Sequence, residues 1–374
     1  MKITLVSHSD TLTGAPRLLM DIADLLYEQG HHITFVVKHA TNSGLLTLKK
    51  NPFNILSLKR YRQTLSGRLY NVVYQKYAMQ QFIQLLKKSD IVINNTIDNA
   101  DLLGYYNKYA KGKVISYLHE LDAVIETHLP TKDLKDKLVA ATTHFIVPAA
   151  YIKHRVARKL NISEDKISVI NSKIAATLNK NNPLSISKPL GEFWVGMCGT
   201  ADMRKGVDIF IKIAETLNIT HKPLNIKLVW LGFEGESAEL IKEDIRKLTL
   251  EDRIKLFPRT LYPDPFFEAI DVFALTSRED PYPLVVLSAA SAAKPIICFE
   301  QSGGTIDFVD IDCGFIVPFL NVDAFCEKIM CLYNQPNTRE ELGLNAQNKV
   351  KAWHQTDATI VNQLNHVFAK IKQI

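Results

Sequence analysis

Cysteine is scarce in this sequence and odd in number. Cys198, Cys298, Cys313, Cys326 and Cys331 all lie in the second half, and none forms a C-x-x-C pair. That argues against a disulfide scaffold or a zinc ribbon and sets the expectation of a reducing cytoplasm. Long apolar runs are missing as well. The longest, residues 284–293, is interrupted by Ser288 and Ser291, whereas a bilayer span needs about 20 apolar residues. Residues 1–7 meet polar His8, Ser9 and Asp10 too soon to be a signal-peptide core, so no targeting segment is expected. A strong charge imbalance is also absent. The formal net charge is +6, too small to argue for a nucleic-acid partner.

What is present is ordinary globular composition, 47% hydrophobic and 22% charged, in 374 residues. At about 150 residues per domain that length suggests two domains. One stretch departs from the average. Between residues 29 and 89 there is no Asp or Glu, while Lys38, Lys49, Lys50, Lys59, Arg60, Arg62, Arg68, Lys76, Lys87 and Lys88 are all present. With Phe53, Leu56, Leu58, Tyr61, Leu65 and Tyr70 interleaved, residues 38–88 can be read as a surface that docks on an anionic membrane. They can equally be read as a solvated helical face over a normal core.

The chain repeats strand, turn and helix. Residues 3–6 form an apolar strand; Pro16 then suits a first helical turn, and Leu18, Leu19, Ile22, Leu25 and Leu26 follow at helical spacing up to Gly30. Further strands are expected at 33–37, 91–93, 114–118, 144–147 and 167–170. Residues 178–191, polar and carrying two prolines, read as an interdomain linker. The alternation then restarts at 194–198, 226–231, 254–257, 272–275, 296–299 and 315–317. Such a pattern implies two α/β, doubly wound Rossmann-like domains with parallel sheets, facing a central cleft. Ligands of these sheets bind outside the carboxyl ends of the strands, so the loops there are the place to look for chemistry.

Five such loops stand out. Thr13-Gly14-Ala15-Pro16-Arg17 precedes the first helix; it is not G-x-G-x-x-G, which disfavours a dinucleotide cofactor, and alone it is also a plain tight turn. Gly199-Thr200-Ala201-Asp202-Met203-Arg204-Lys205-Gly206 offers two adjacent cations and a helix start to a pyrophosphate, or only a solvated pair. Thr276-Ser277-Arg278-Glu279-Asp280-Pro281-Tyr282-Pro283 sets two carboxylates before a helix whose free N–H groups face the same place. Those carboxylates could accept sugar hydroxyls, or Asp280 could cap the helix. Ser302-Gly303-Gly304-Thr305 follows the strand at 296–299. His119-Glu120 closes the strand at 114–118, where the histidine is either structural or part of a site.

In these residues the second half resembles the family 4 retaining glycosyltransferases of the GT-B fold. The resemblance is carried by Val195 to Gly199 with Arg204-Lys205-Gly206-Val207-Asp208, by Leu231-Gly232, by Ser277 to Leu287, and by Lys294 to Phe299 with Ser302-Gly303-Gly304. Gly14-Ala15, His31 after Gly30, and His119-Glu120 look like the family's acceptor-side loops. The resemblance implies a sugar moved from a UDP- or GDP-linked donor to a saccharide or lipid-linked acceptor in bacterial surface glycan synthesis. It implies retained anomeric configuration, no metal and no cofactor beyond the donor; the cysteine usage sets the cytoplasmic expectation, and the basic stretch at 38–88 could hold the protein at the inner face of the plasma membrane. It implies domains at 1–183 and 184–355, the first holding the acceptor and the second the nucleotide-sugar. A helix at 356–374 is expected to return to the first domain.

By the same resemblance His119, Glu279 and Asp280 are the catalytic set, with His119 near the donor sugar and the acids on its hydroxyls. Gly14, Thr200, Arg204, Lys205, Arg259, Pro283, Leu284 and Ser288 bind the nucleotide-sugar, Lys205 and Arg204 neutralising the diphosphate. Two positions depart from the family. Ser288 stands where a second acid usually holds the ribose, and Thr200 replaces an arginine. The first departure keeps open a non-catalytic relative that binds a glycan or a partner enzyme. Another two-domain nucleotide-sugar enzyme, such as a hydrolysing epimerase, is a third reading.

Overall fold

Apolar runs flanked by turn residues become short parallel strands, and the amphipathic segments between them become the covering helices. The computed structural model describes residues 1–11, 14–41, 45–60, 65–174, 186–221, 223–235, 238–260 and 262–373; of residues 48, 60 and 65–71 it describes the backbone. Two units result, Met1–Lys173 with Asp357–Ile374, and Ile174–Thr356. Of the stretch read as a linker, residues 178–185 lie outside the described residues.

The first unit runs β1 (Lys2–Ser9), α1 (Gly14–Glu28), β2 (His32–Ala40), β3 (Asn54–Arg60), α2 (Leu65–Lys88), β4 (Ile91–Asn95), α3 (Leu103–Tyr109), β5 (Lys113–Tyr117), α4 (Asp122–His128), α5 (Lys132–Ala141), β6 (His144–Val147), α6 (Ala150–Leu160) and β7 (Ile167–Val169). Among the described residues its sheet is parallel in the order β3-β2-β1-β4-β5-β6-β7. Ile3, Leu5 and Val6 of β1 are buried, as a strand covered on both faces requires. Gly30, at φ +79°, ends α1 by taking a left-handed turn closed by His31 N–H on the Leu26 carbonyl.

β3 is a correction to the sequence reading, which placed no strand between residues 37 and 91. Asn54-Ile-Leu-Ser-Leu-Lys-Arg60 lacks a continuous apolar run because it is an edge strand. It pairs with β2 alone, from Thr34↔Asn54 to Ala40↔Arg60. An edge strand needs only part of its surface buried.

The second unit runs β8 (Phe193–Cys198), α7 (Val207–Thr220), β9 (Ile226–Leu231), α8 (Ala238–Lys247), β10 (Ile254–Phe257), α9 (Asp264–Ala269), β11 (Val272–Leu275), α10 (Leu284–Ser291), β12 (Ile296–Phe299), α11 (Thr305–Val309), β13 (Gly314–Val317), α12 (Val322–Asn334) and α13 (Pro336–Trp353). The parallel order is β10-β9-β8-β11-β12-β13. Its core includes Trp194, Phe210, Trp230, Phe266 and Phe273, all buried. Phe210 meets Trp230 edge to face at 5.0 Å. Burial of each such ring contributes about 1.5–3 kcal/mol. Trp230 also donates its indole N–H to the Gly199 carbonyl at 2.7 Å, so the core itself ties down the loop after β8.

The last helix, α14 (Asp357–Lys372), belongs to the first unit. Ile360, Leu364, Val367, Phe368 and Ile371 join the core formed by β1, β2 and α1.

Candidate active site

In both sheets the strand order reverses beside a central strand, between β1 and β4 in one and between β8 and β11 in the other. Connections then leave in opposite directions and open a crevice at the carboxyl ends. Of the loops singled out in the sequence, those after β1, β8 and β11 lie at these points, and those after β5 and β12 follow the neighbouring strands.

In the second unit the loops after β8 and β11 are laced together. The Lys205 ammonium forms an ion pair with the Asp280 carboxylate, and Ser277 Oγ donates to the same carboxylate at 3.3 Å. Asp280 is buried at 6% exposure, and among the described residues its carboxylate is also approached by Arg204, whose Nη1 lies 3.9 Å from Oδ1. The half-exposed Arg204 guanidinium also donates to the Glu279 carbonyl at 3.0 Å. Asp280 is not the helix cap. Pro283 occupies the N-cap position of α10 and makes no side-chain cap bond to the first amides of that helix.

Backbone geometry holds the cations in place. Arg278 N–H donates to the Arg204 carbonyl at 2.8 Å, and Thr276 Oγ1 donates to the Lys205 carbonyl at 3.0 Å. The Arg278 guanidinium binds Asp208 through two bonds of 2.7 and 2.6 Å and reaches the Met203 carbonyl at 2.8 Å. The hydrogen bonds of this pair hold Asp208 below the usual carboxylate range and raise Arg278 further. Gly206 starts α7 at φ +70°, and a Cβ there would lie 2.0 Å from the Thr276 carbonyl oxygen. Gly303 is equally committed, since a Cβ would fall 1.8 Å from the Asp280 carbonyl oxygen.

The other residues of this unit expected to bind the nucleotide-sugar follow β8, β10 and β11. Thr200 is exposed in the loop after β8, where Ala201 N–H bonds the Glu234 carbonyl at 3.0 Å. Arg259, exposed beyond β10, stands 3.6 Å from the Glu234 carboxylate. Pro283 is buried and Leu284 partly so. Ser288 lies one turn into α10, and its hydroxyl donates back to the Leu284 carbonyl at 3.2 Å.

His119 and Gly14 belong to the first unit. Gly14 is exposed at the start of α1, with nothing within 4 Å of a built Cβ; its neighbour Thr13 lies outside the described residues. His119 Nε2 lies 2.8 Å from Asn95 Oδ1, and Asn95 Nδ2 donates to the Ala15 carbonyl at 3.0 Å. The Tyr117 ring lies 3.9 Å from the imidazole, centroid to centroid. Burial, with the charge of His8 nearby, lowers His119 to about 3, so it is a neutral imidazole at ordinary pH. Glu120 accepts from His119 N–H at 2.8 Å and Ile97 N–H at 3.2 Å, yet burial pushes it up to about 8.

Sequence reasoning missed Asn95, Asp208 and a holding role for Arg278. Asn95 closes β4 at the switch point, so its position carried the signal. Its partners are distant in sequence and gave none. Among the described residues no group of three or more His, Cys, Asp or Glu is placed to hold a metal ion.

Two family models divide the chain between them. "Glycosyl-transferase family 4" matches residues 1–179, and "Glycosyl transferases group 1" matches residues 180–349. The chain belongs to the family 4 glycosyltransferases. This glycosyltransferase is 22% identical over 327 residues to an uncharacterized glycosyltransferase of Haemophilus influenzae, covering 86% of this chain and 87% of the relative. It is 23% identical to the capsular polysaccharide biosynthesis glycosyltransferase CapM of Staphylococcus aureus, covering 74% and 76%. The crystal structure of Anabaena HepE in complex with UDP and glucose is similar with a TM-score of 0.80 at 18% identity, covering 99% of both chains. At that identity the likeness shows the fold, which is GT-B with two Rossmann-like domains.

Proposed function

We propose that this family 4 glycosyltransferase is a retaining, metal-independent enzyme. It moves a sugar from a UDP- or GDP-linked donor to a saccharide or lipid-linked acceptor of a bacterial surface glycan. The observation that supports this reading is the Lys205–Asp280 pair with Arg204, in the loop that leads to α10, whose N-cap Pro283 makes no side-chain bond. A departing nucleoside diphosphate carries two negative charges, and positive groups fixed before the reaction stabilise them without reorganising. Lys205, Arg204 and the first amides of α10 supply that field, while Asp280 and Glu279 accept sugar hydroxyls. Uridine is the base favoured by the likeness to a protein solved with UDP. His119, neutral at working pH, contributes a hydrogen bond rather than a charge.

Thermal unfolding with UDP, GDP and their sugars tests the reading. A true donor at a hundredfold excess over its Kd should stabilise by about 2.7 kcal/mol. Lys205→Ala should abolish the shift and Asp280→Asn should abolish turnover; full turnover in both variants would remove the site assignment. One observation favours a second reading. Ser288 replaces an acid and its hydroxyl is spent on its own helix, as suits a non-catalytic relative, and absence of any nucleotide shift would select it.

The acceptor side is proposed to meet an anionic membrane through residues 38–88. Val72, Val73 and Tyr77 of α2 are exposed beside Lys76, an apolar face edged with charge, although the side chains of Arg60, Arg62 and Arg68 lie outside the described residues. No helix among the described residues is long and apolar enough to cross a membrane. Charge reversal at Lys59, Arg60 and Arg62 should release the protein from anionic liposomes; unchanged sedimentation would retire the idea.

A further inference from the structure

We propose that Asn95 is a positioning residue that fixes the tautomer of His119, so that the imidazole presents a bare Nδ1 as a hydrogen-bond acceptor to a substrate hydroxyl. The inference rests on the reading of His119 as part of the sugar-transfer site, and it adds what makes that ring usable.

The deduction starts from a backbone carbonyl. The Ala15 oxygen can only accept, so the Asn95 group 3.0 Å from it is the amide nitrogen. The other end of the same amide, 2.8 Å from His119 Nε2, is then the oxygen. That oxygen also only accepts, so Nε2 carries the hydrogen. A neutral imidazole has one N–H, and Nδ1 is left with its lone pair. Asn95 is itself immobilised: it is fully buried at the end of β4, and its carbonyl accepts from Asn99 Nδ2 at 3.0 Å.

The surroundings keep the ring neutral. Burial disfavours a charge on it, and His8, near the end of β1, adds repulsion whenever it is itself protonated. Tyr117, the last residue of β5, packs its ring against the imidazole at a 40° tilt, and Glu120 spends its carboxyl on the backbone N–H of His119 and Ile97 rather than on the ring. Asp98, at the start of the following turn, lies toward His8, with 3.7 Å between His8 Nε2 and its carboxylate. Because Asn95 also holds the Ala15 carbonyl, the same amide ties the start of α1 to the ring.

Nitrogen-15 histidine NMR of the full chain tests the tautomer directly, with the His119 signal assigned by its loss in His119→Gln. Between pH 5 and 8 the signal should be that of a neutral ring protonated at Nε2; an imidazolium or an Nδ1–H ring overturns the proposal. In turnover, Asn95→Ala should lower kcat about tenfold, the worth of one lost orienting hydrogen bond, with UDP affinity unchanged. Asn95→Asp places a carboxylate against Nε2–H, favours the imidazolium and should add an acid-side loss of kcat that recovers by pH 8. Wild-type kcat in Asn95→Ala, or a wild-type pH profile in an active Asn95→Asp, refutes it. If the wild type turned over no nucleotide-sugar, the functional reading would fail, while the NMR result would still decide the tautomer.

Discussion

Breaking the Lys205–Asp280 pair should destabilise the protein as well as disable it. Asp280 is 6% exposed and the Lys205 side chain 13% exposed, so neither charge is left in water when the other is removed. Removing one partner of a buried pair costs about 3–5 kcal/mol, because the survivor stays desolvated and unpaired. Ser277 Oγ at 3.3 Å and Arg204 at 3.9 Å remain to compensate Asp280, which puts Lys205→Met at the lower end, about 3 kcal/mol. For a unit of this size that is a fall in Tm of about 6–12 °C. Asp280→Asn should cost a similar amount. The double variant, with no orphaned charge, should cost at least about 2 kcal/mol less than the two singles added together. Urea unfolding of the four proteins completes the cycle, and donor turnover measured in parallel should be lost in every variant. Additive stability losses, or single variants as stable as wild type, would refute the argument that this pair is electrostatically isolated.

Gly206→Ala should destabilise by more than about 2 kcal/mol and weaken donor binding. It combines a left-handed φ of +70° with a clash on the carbonyl of Thr276, the residue whose hydroxyl holds the Lys205 carbonyl; an unchanged Tm would show that the turn relaxes freely. Ser288→Glu should tighten UDP about tenfold by calorimetry, since a charged acceptor replaces a hydroxyl now bonded to Leu284; unchanged affinity would mean that α10 does not face the ribose. Stability should also depend on pH through Glu120. Its folded value of about 8 against 4.5 when unfolded gives a contribution present below 4.5 and lost as pH rises through 8. His119, at about 3 against 6.5, acts in the opposite sense, its contribution being complete above 6.5 and lost as pH falls through 3. Of this pair, only Glu120 changes between pH 6.5 and 8, so unfolding free energy should fall over that window and Glu120→Gln should flatten the fall. Equal slopes in the two proteins would contradict this.

Local chemistry in the sequence was enough for the alternation of strand and helix. Continuous apolar runs such as 228–231 and 272–275 fall within β9 and β11, because a strand covered on both faces cannot hide its composition. The loops that follow such strands were legible for the same reason, and so were Arg204, Lys205 and Asp280 within them. β3 was not, since an edge strand needs no such run. Pairing was not legible either. Whether Asp280 would cap α10 or bind Lys205 is decided by two loops meeting across the switch point, and sequence spacing does not record that meeting. Asn95 shows the limit most plainly. Its role depends on a carbonyl 80 residues earlier and an imidazole 24 residues later, and only the folded sheet brings the three into one hydrogen-bonded line.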